Sequence, residues 1–207
     1  MSVNVVQNQG ALAERAFTVT QLELAVWLSQ QSSAVSVPQL LSEQVNHTPE
    51  AIALAVAGNP WTYRELEEAA NRLAHLLAAH RVGLGDVIAL LFDASAQAII
   101  AMLAAWKVGA VCLSIDSTLP DAQVASLLDD AAPSAAITTT AQATRLADHH
   151  LLVIDIDDPV VNTSYPAHAL PHPNPDNIAY IFPSDTSRAV ASTSVWEIWA
   201  ALLQPPT

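Results

Sequence analysis

Asp155, Asp157 and Asp158 fall within one short stretch, a density of carboxylates that could hold a hard divalent cation. The competing reading, a solvated strand end in an acidic chain, is preferred. His75 and His80 stand five apart on one predicted helix, which does not suit a metal pair. His168 and His172 lie in a proline-rich loop and lack Cys or His partners at zinc spacing. Cys112, the sole cysteine, sits in an apolar run and reads as a small buried hydrophobe rather than a nucleophile. Gly83-x-Gly85 closes a helix instead of opening one after a strand, so it is not a dinucleotide fingerprint. No metal ligand and no catalytic residue is assigned from these patterns.

Bulk properties narrow the field further. The chain has 207 residues, 52% hydrophobic and 13% charged, which is the composition of a globular chain with ample core material. Its formal net charge is −13, and Lys107 is its single lysine. A basic surface for tracking phosphates is absent, which argues against nucleic-acid binding. The opening MSVNVVQNQG lacks the basic and apolar regions of a secretory signal. The apolar stretch Ala94–Trp106 is shorter than the roughly 20 residues of a membrane span. No membrane association is expected, and the cytoplasm is the default location.

The elements that would position any site follow from periodicity. Phe17–Gln31 can form a helix capped by Thr20, with Leu24, Trp27 and Leu28 on one face. Pro38 starts a second helix carrying Leu40, Leu41 and Val45. Ala51–Val56 is a β-prone run ending at the turn Gly58-Asn59-Pro60. Thr62 and Glu65 form a capping box, and Leu66, Ala69, Ala70, Leu73, Leu76 and Leu77 recur at helical spacing until Gly83 and Gly85. Val87–Phe92 and Ala110–Ile115 read as strands buried on both faces. Between them, Ser95 opens a helix with Ile99, Met102, Leu103 and Trp106 on one stripe, stopped by Gly109. Pro120 begins a helix to about Asp130. Ala135–Thr138 and Leu151–Ile156 are further strands around a short helix near Ala141–Leu146. Asp157–Asn177 is a surface loop, and Ile178–Phe182 another strand. The alternation predicts an α/β fold, a mostly parallel sheet flanked by helices.

Several segments, in order, resemble the adenylation domains of nonribosomal peptide synthetases, within the adenylate-forming (AMP-dependent synthetase and ligase) family. Trp61–Leu66 resembles the first core motif, T-Y-x-E-L, and Ala69–Ala74 the helix after it. Val82–Val87 is similar to the family's G-x-G-D-x-V turn. Trp106–Ala110 through Ile115-Asp116 resembles the second core motif, and Asn177–Phe182 the strand entering the third. Tyr63, Glu65 and Asp116 match motif positions that are mainly structural in the family. The resemblance implies the partial N-terminal subdomain of an adenylate-forming enzyme over residues 38–207, with ATP and Mg serving the parental chemistry.

The third motif continues in the family as T-S-G-[ST]-T-G-x-P-K-G, whose glycines let backbone N–H groups wrap the ATP phosphates. Here Asp185 stands at the first glycine, Arg188 at the second, Ala191 at the lysine and Ser192 at the third glycine. Ser184, Thr186 and Ser187 keep hydroxyls, which makes them the implied remnant of the phosphate loop. Asp185 repels a triphosphate and Pro183 removes a donor. The tail Ser194–Leu203 resembles a family segment, F-D-x-S-V-W-E-I-W, that lies well downstream of this loop. Its aspartate, which holds the substrate amino group, corresponds to Ser192. An internal deletion joining loop to tail is therefore expected.

Two weaker resemblances point to condensation domains of the same synthetases. Phe17–Gln31 is similar to their opening motif, so residues 1–37 could be a condensation-domain stub or an ordinary amphipathic helix. His149-His150 with Asp155 departs from H-H-x-x-x-D-G by one position and lacks the glycine, so a strand-entry loop is preferred. The expected function is that of a truncated adenylation-like protein, inactive alone and without a bound cofactor of its own. The alternative is an interaction module that keeps a surface for an MbtH-like partner. A second synthetase chain completing it, or a homodimer through exposed apolar surface, are further partner expectations.

Overall fold

A computed structural model of the chain describes residues 36–56 and 59–171. These belong to one compact unit, Val35–Thr207. Helix α1 spans Val37–His47; the Ser36 side chain caps it and Pro38 sits in its first turn. Leu41 is buried, while Leu40 is exposed at 40%. Strand β1, Ile52–Val56, pairs antiparallel with β2, Asn59–Thr62. The sequence reading placed a turn at residues 58–60, yet Asn59 and Pro60 are already in the returning strand. Pro60 is tolerated because a two-stranded ribbon has an outward side on which no N–H is needed.

Helix α2, Tyr63–Ala79, begins on the full capping box. The Glu65 amide donates to Thr62 Oγ1, and the Thr62 amide donates to Glu65 Oε2 at 2.8 Å. The Thr62 amide and hydroxyl both donate to Glu65 Oε2, and these two bonds hold the Glu65 carboxyl below its ordinary value. Its apolar stripe is buried as the spacing predicts. The helix does not run to Gly83, however. Arg81 takes a left-handed conformation (φ 63), with its amide donating to Ala78 O and that of Val82 to Leu77 O. That double bond pattern is a Schellman stop, reached without glycine.

The sheet follows: β3 (Val87–Phe92), β4 (Val111–Asp116), β5 (Ala135–Thr138) and β6 (Leu152–Asp155), all parallel, in the order β4-β3-β5-β6. Side chains alternate between two cores. Ile88, Leu90 and Phe92 pack with α2 and with α3 (Ala96–Lys107) on one face. Ala89 and Leu91 pack on the other with Val124 and Leu128 of α4 (Asp121–Ala131) and with Leu146. Pro120 precedes α4 as its cap residue rather than opening it. The short helix α5 (Thr140–Ala143) and the 3-10 turn Thr144–Leu146 connect β5 to β6.

Helix α3 shows more burial than its stripe foretold: Ala96, Ala98–Ala105 and Lys107 are all buried. It is enclosed because α1 and α2 cover its outer side. The loop expected after Asp157 contains a further helix, α6 (Pro159–Thr163), capped by Asp158. Its continuation folds back onto α2, with Tyr165 and Leu170 packed against the core. Among the described residues no helix is long and apolar enough to cross a membrane.

Candidate functional site

In an open parallel sheet, ligands sit beyond the carboxyl ends of the strands where successive connections leave to opposite faces. That point here lies between β3 and β5. After β3 the chain enters α3 on the first face; after β5 it enters α5 and Leu146 on the second. The loops at this end carry Asp93, Asp116, Thr138–Thr140, Asp155 and Asp157.

Their hydrogen-bonding groups are already engaged with one another. Thr138 Oγ1 is buried and donates to Leu91 O at 2.8 Å, tying β5 to β3. Thr140 donates from its hydroxyl to Asp155 Oδ2 at 2.6 Å and from its amide to Asp157 Oδ2 at 3.1 Å. Asp155 Oδ1 also accepts from the Asp157 amide. Asp116 Oδ1 accepts from both the amide and the hydroxyl of Thr118, and Ser117 Oγ donates to Asp93. The three carboxylates Asp155, Asp157 and Asp158 thus organise their own loop and cap α6. Among the described residues no group of three or more His, Cys, Asp or Glu is placed to hold a metal.

Arg145 is the cation that reaches these loops. Its guanidinium donates to Asp121 Oδ1 at 2.6 Å, to Ser117 O at 2.6 Å and to Leu119 O, which fixes the β4–α4 loop. With Gln142 Oε1 these contacts take four of its five N–H donors. The cavity beside Leu90, Phe92, Asp93, Met102 and Asp116 is about 10 Å³, room for one water and not for a nucleotide. The described strand ends thus present carboxylates that already accept hydrogen bonds from their own loops.

Ser184, Thr186 and Ser187 lie outside the described residues, as do the strand at 178–182, the tail at 194–203 and the helix at 17–31. His168 is described. It meets His75, 93 positions away in sequence, with ring centroids 4.6 Å apart, a partnership invisible to motif spacing.

A buried polar cluster also escaped sequence reasoning. Lys107 Nζ lies 2.8 Å from Glu67 Oε1, with side-chain exposures of 3% and 8%. Ser42 of α1 donates to the same oxygen at 2.9 Å. Burial pushes the Lys107 amine below its ordinary value, and the Glu67 charge opposes that shift. The single lysine thus joins three helices and is closed to substrate. Burial raises the Cys112 thiol as well, in keeping with a packing role.

Comparison with known proteins supplies the context. The profile of the AMP-binding enzyme family matches residues 41–184. The isonitrile lipopeptide synthase of Mycobacterium tuberculosis is 39% identical over 214 positions, which cover 86% of this chain and 8% of that protein. Surfactin synthase subunit 2 of Bacillus subtilis is 34% identical over 119 positions, covering 58% of this chain and 3% of that one. Among solved structures, the nonribosomal peptide synthetase FmoA3, bound to alpha-methyl-L-serine-AMP, superposes with a TM-score of 0.67 at 25% identity. The match covers 72% of this chain and 17% of that one. The N-terminal subdomain of Klebsiella oxytoca NpsA gives 0.64 at 25% identity, covering 75% and 40%. The chain thus spans only a small part of the length of its curated relatives.

Proposed function

Because the chain belongs to the AMP-binding enzyme family, as a fragment of an adenylation domain of nonribosomal-peptide-synthetase type, we propose that its parental chemistry is amino-acid activation and that this chain alone no longer performs it. In that reaction the amino-acid carboxylate attacks the α-phosphorus of ATP, forming aminoacyl-AMP and releasing pyrophosphate. Such a transfer depends on donors and positive charge arranged around the phosphates.

The observation that carries the proposal is the segment Ile178–Thr193, which contains neither glycine nor lysine. Without glycine the backbone cannot come close enough to cradle a phosphate chain. Ser184, Thr186 and Ser187 could still donate, but Asp185 lies among them. The carboxylates at the described strand ends add repulsion. An internal deletion accounts for the segment. That reading fits the tail Ser194–Leu203, which resembles a family segment lying well downstream of the loop.

The test is amino-acid-dependent ATP–pyrophosphate exchange by the purified full chain, screened across the proteinogenic amino acids. Exchange at background for every amino acid is expected. Turnover with any of them, abolished by heat denaturation, would overturn the proposal.

A further inference from the structure

Three polar residues interrupt the apolar side of α2 at successive turns: Glu67, Asn71 and His75. Spacing of four residues places them on one face of the helix. Each reaches a different part of the fold. Glu67 holds Ser42 of α1 and Lys107 of α3. Asn71 is 2% exposed, and its Nδ2 donates to Ala167 O at 2.8 Å. The His75 Nε2 lies 3.1 Å from His168 O, and the two rings meet edge to face.

Residues 164–171 thus form a strap laid along α2. They contain no regular secondary structure, and their backbone carbonyls at Ala167 and His168 are the groups that α2 grips. Tyr165 and Leu170 supply the apolar part of the attachment. A carbonyl turned from water needs a partner; Asn71 supplies one at half-buried Ala167, and His75 adds a contact at the exposed His168 carbonyl. Asn71 Oδ1 is buried and has no hydrogen-bond partner. A buried amide oxygen is costly to leave unpaired, and the Nδ2–Ala167 bond is the favourable contact set against that cost.

We infer that Asn71 and His75 are a two-point latch that fixes the strap, residues 164–171, on α2. The latch fixes the backbone at two consecutive carbonyls, which sets register as well as proximity. The latch is local, so releasing it opens the strap while the sheet and the α2–α3 core stay folded.

The experiment measures proteinase K cleavage at Ala167–Ala169 in the full chain, with fragments identified by mass, beside thermal melting of the same samples. Asn71→Leu keeps the γ-branched shape, adds some volume and removes the donor. His75→Ala removes the second grip at a half-buried position. Each is expected to raise strap cleavage by roughly tenfold at an almost unchanged melting temperature. Unchanged cleavage in both variants, or cleavage that rises only as the whole unit melts, overturns the latch. Should Asn71→Leu fail to fold, His75→Ala decides alone: selective strap cleavage supports the latch, and wild-type cleavage refutes it. Neither outcome depends on whether the chain turns over ATP.

Discussion

At the scale of single residues, Lys107 shows how burial reassigns a reactive group. A free ε-amine would be the obvious partner for a phosphate, but this one is enclosed between α2 and α3 against Glu67. Removing one partner of a buried pair leaves the other charge stranded. Lys107→Met should therefore cost about 3–5 kcal/mol in urea unfolding, whereas the double change Lys107→Met with Glu67→Leu should recover most of that loss. The amine also titrates in a defined direction. Its value lies below 10.5 in the folded chain, so the unfolded chain holds more protons between the folded value and 10.5. In that window this group favours the fold more as pH rises; below it, the burial cost is constant. Comparing wild type with the double variant from about pH 8 to about pH 11 should show stability of the wild type rising relative to the variant. A parallel course would mean that the amine is solvated. The sequence contained the lysine and the glutamate but not their meeting, since 40 positions separate them and no periodic pattern links one helix to another.

At the scale of elements, α2 and α3 end in the same way with different residues. Gly109 (φ 76) stops α3, its amide donating to Trp106 O and that of Ala110 to Ala105 O. Arg81 stops α2 with the equivalent pair of bonds. A side chain in this backbone region costs about 1 kcal/mol or more, which glycine avoids. Part of the gain is lost because glycine also loosens the unfolded chain. Arg81→Gly should then stabilise the unit by about 0.5–1 kcal/mol, and Gly109→Ala should destabilise it by at least about 1 kcal/mol. Urea midpoints for both variants would check this, and a loss of stability in Arg81→Gly would show that the arginine side chain contributes contacts of its own. These two helices also show what was legible. The capping box, the buried strands and the Gly109 stop were read correctly because each is set by residues within a few positions. The Arg81 stop was missed because glycine was taken as the signal. The β1–β2 hairpin and α6 were missed because proline normally marks turns and loops, whereas Pro60 sits in a ribbon edge and Pro159 in a first helical turn. The candidate phosphate loop lies outside the described residues, and the hydrogen bonding of the strand-end carboxylates required the fold.

At the scale of the whole molecule, the charge distribution leads to a clear expectation. The chain carries −13, and its cations among the described residues are largely paired. Arg64, Arg72, Lys107 and Arg145 each hold a carboxylate, and three of these four pairs have an exposed or half-exposed partner worth little in water. Exposed carboxylates such as Asp121 therefore face a surplus of like charge. Raising ionic strength from about 10 mM to about 150 mM shortens the screening length from roughly 30 Å to about 8 Å. That range removes long-distance repulsion and leaves the contact pairs, above all the buried Lys107–Glu67 pair, nearly intact. Net self-repulsion opposes the compact state, so the melting temperature should rise over this interval. The same carboxylates would repel an incoming nucleotide most strongly at low salt. If the acidic strand ends, rather than only the lost glycines, keep ATP away, any residual ATP binding measured by calorimetry should strengthen with salt. Weakening with salt would instead reveal an attractive cationic site, and with it a phosphate-binding loop that glycine and lysine do not define.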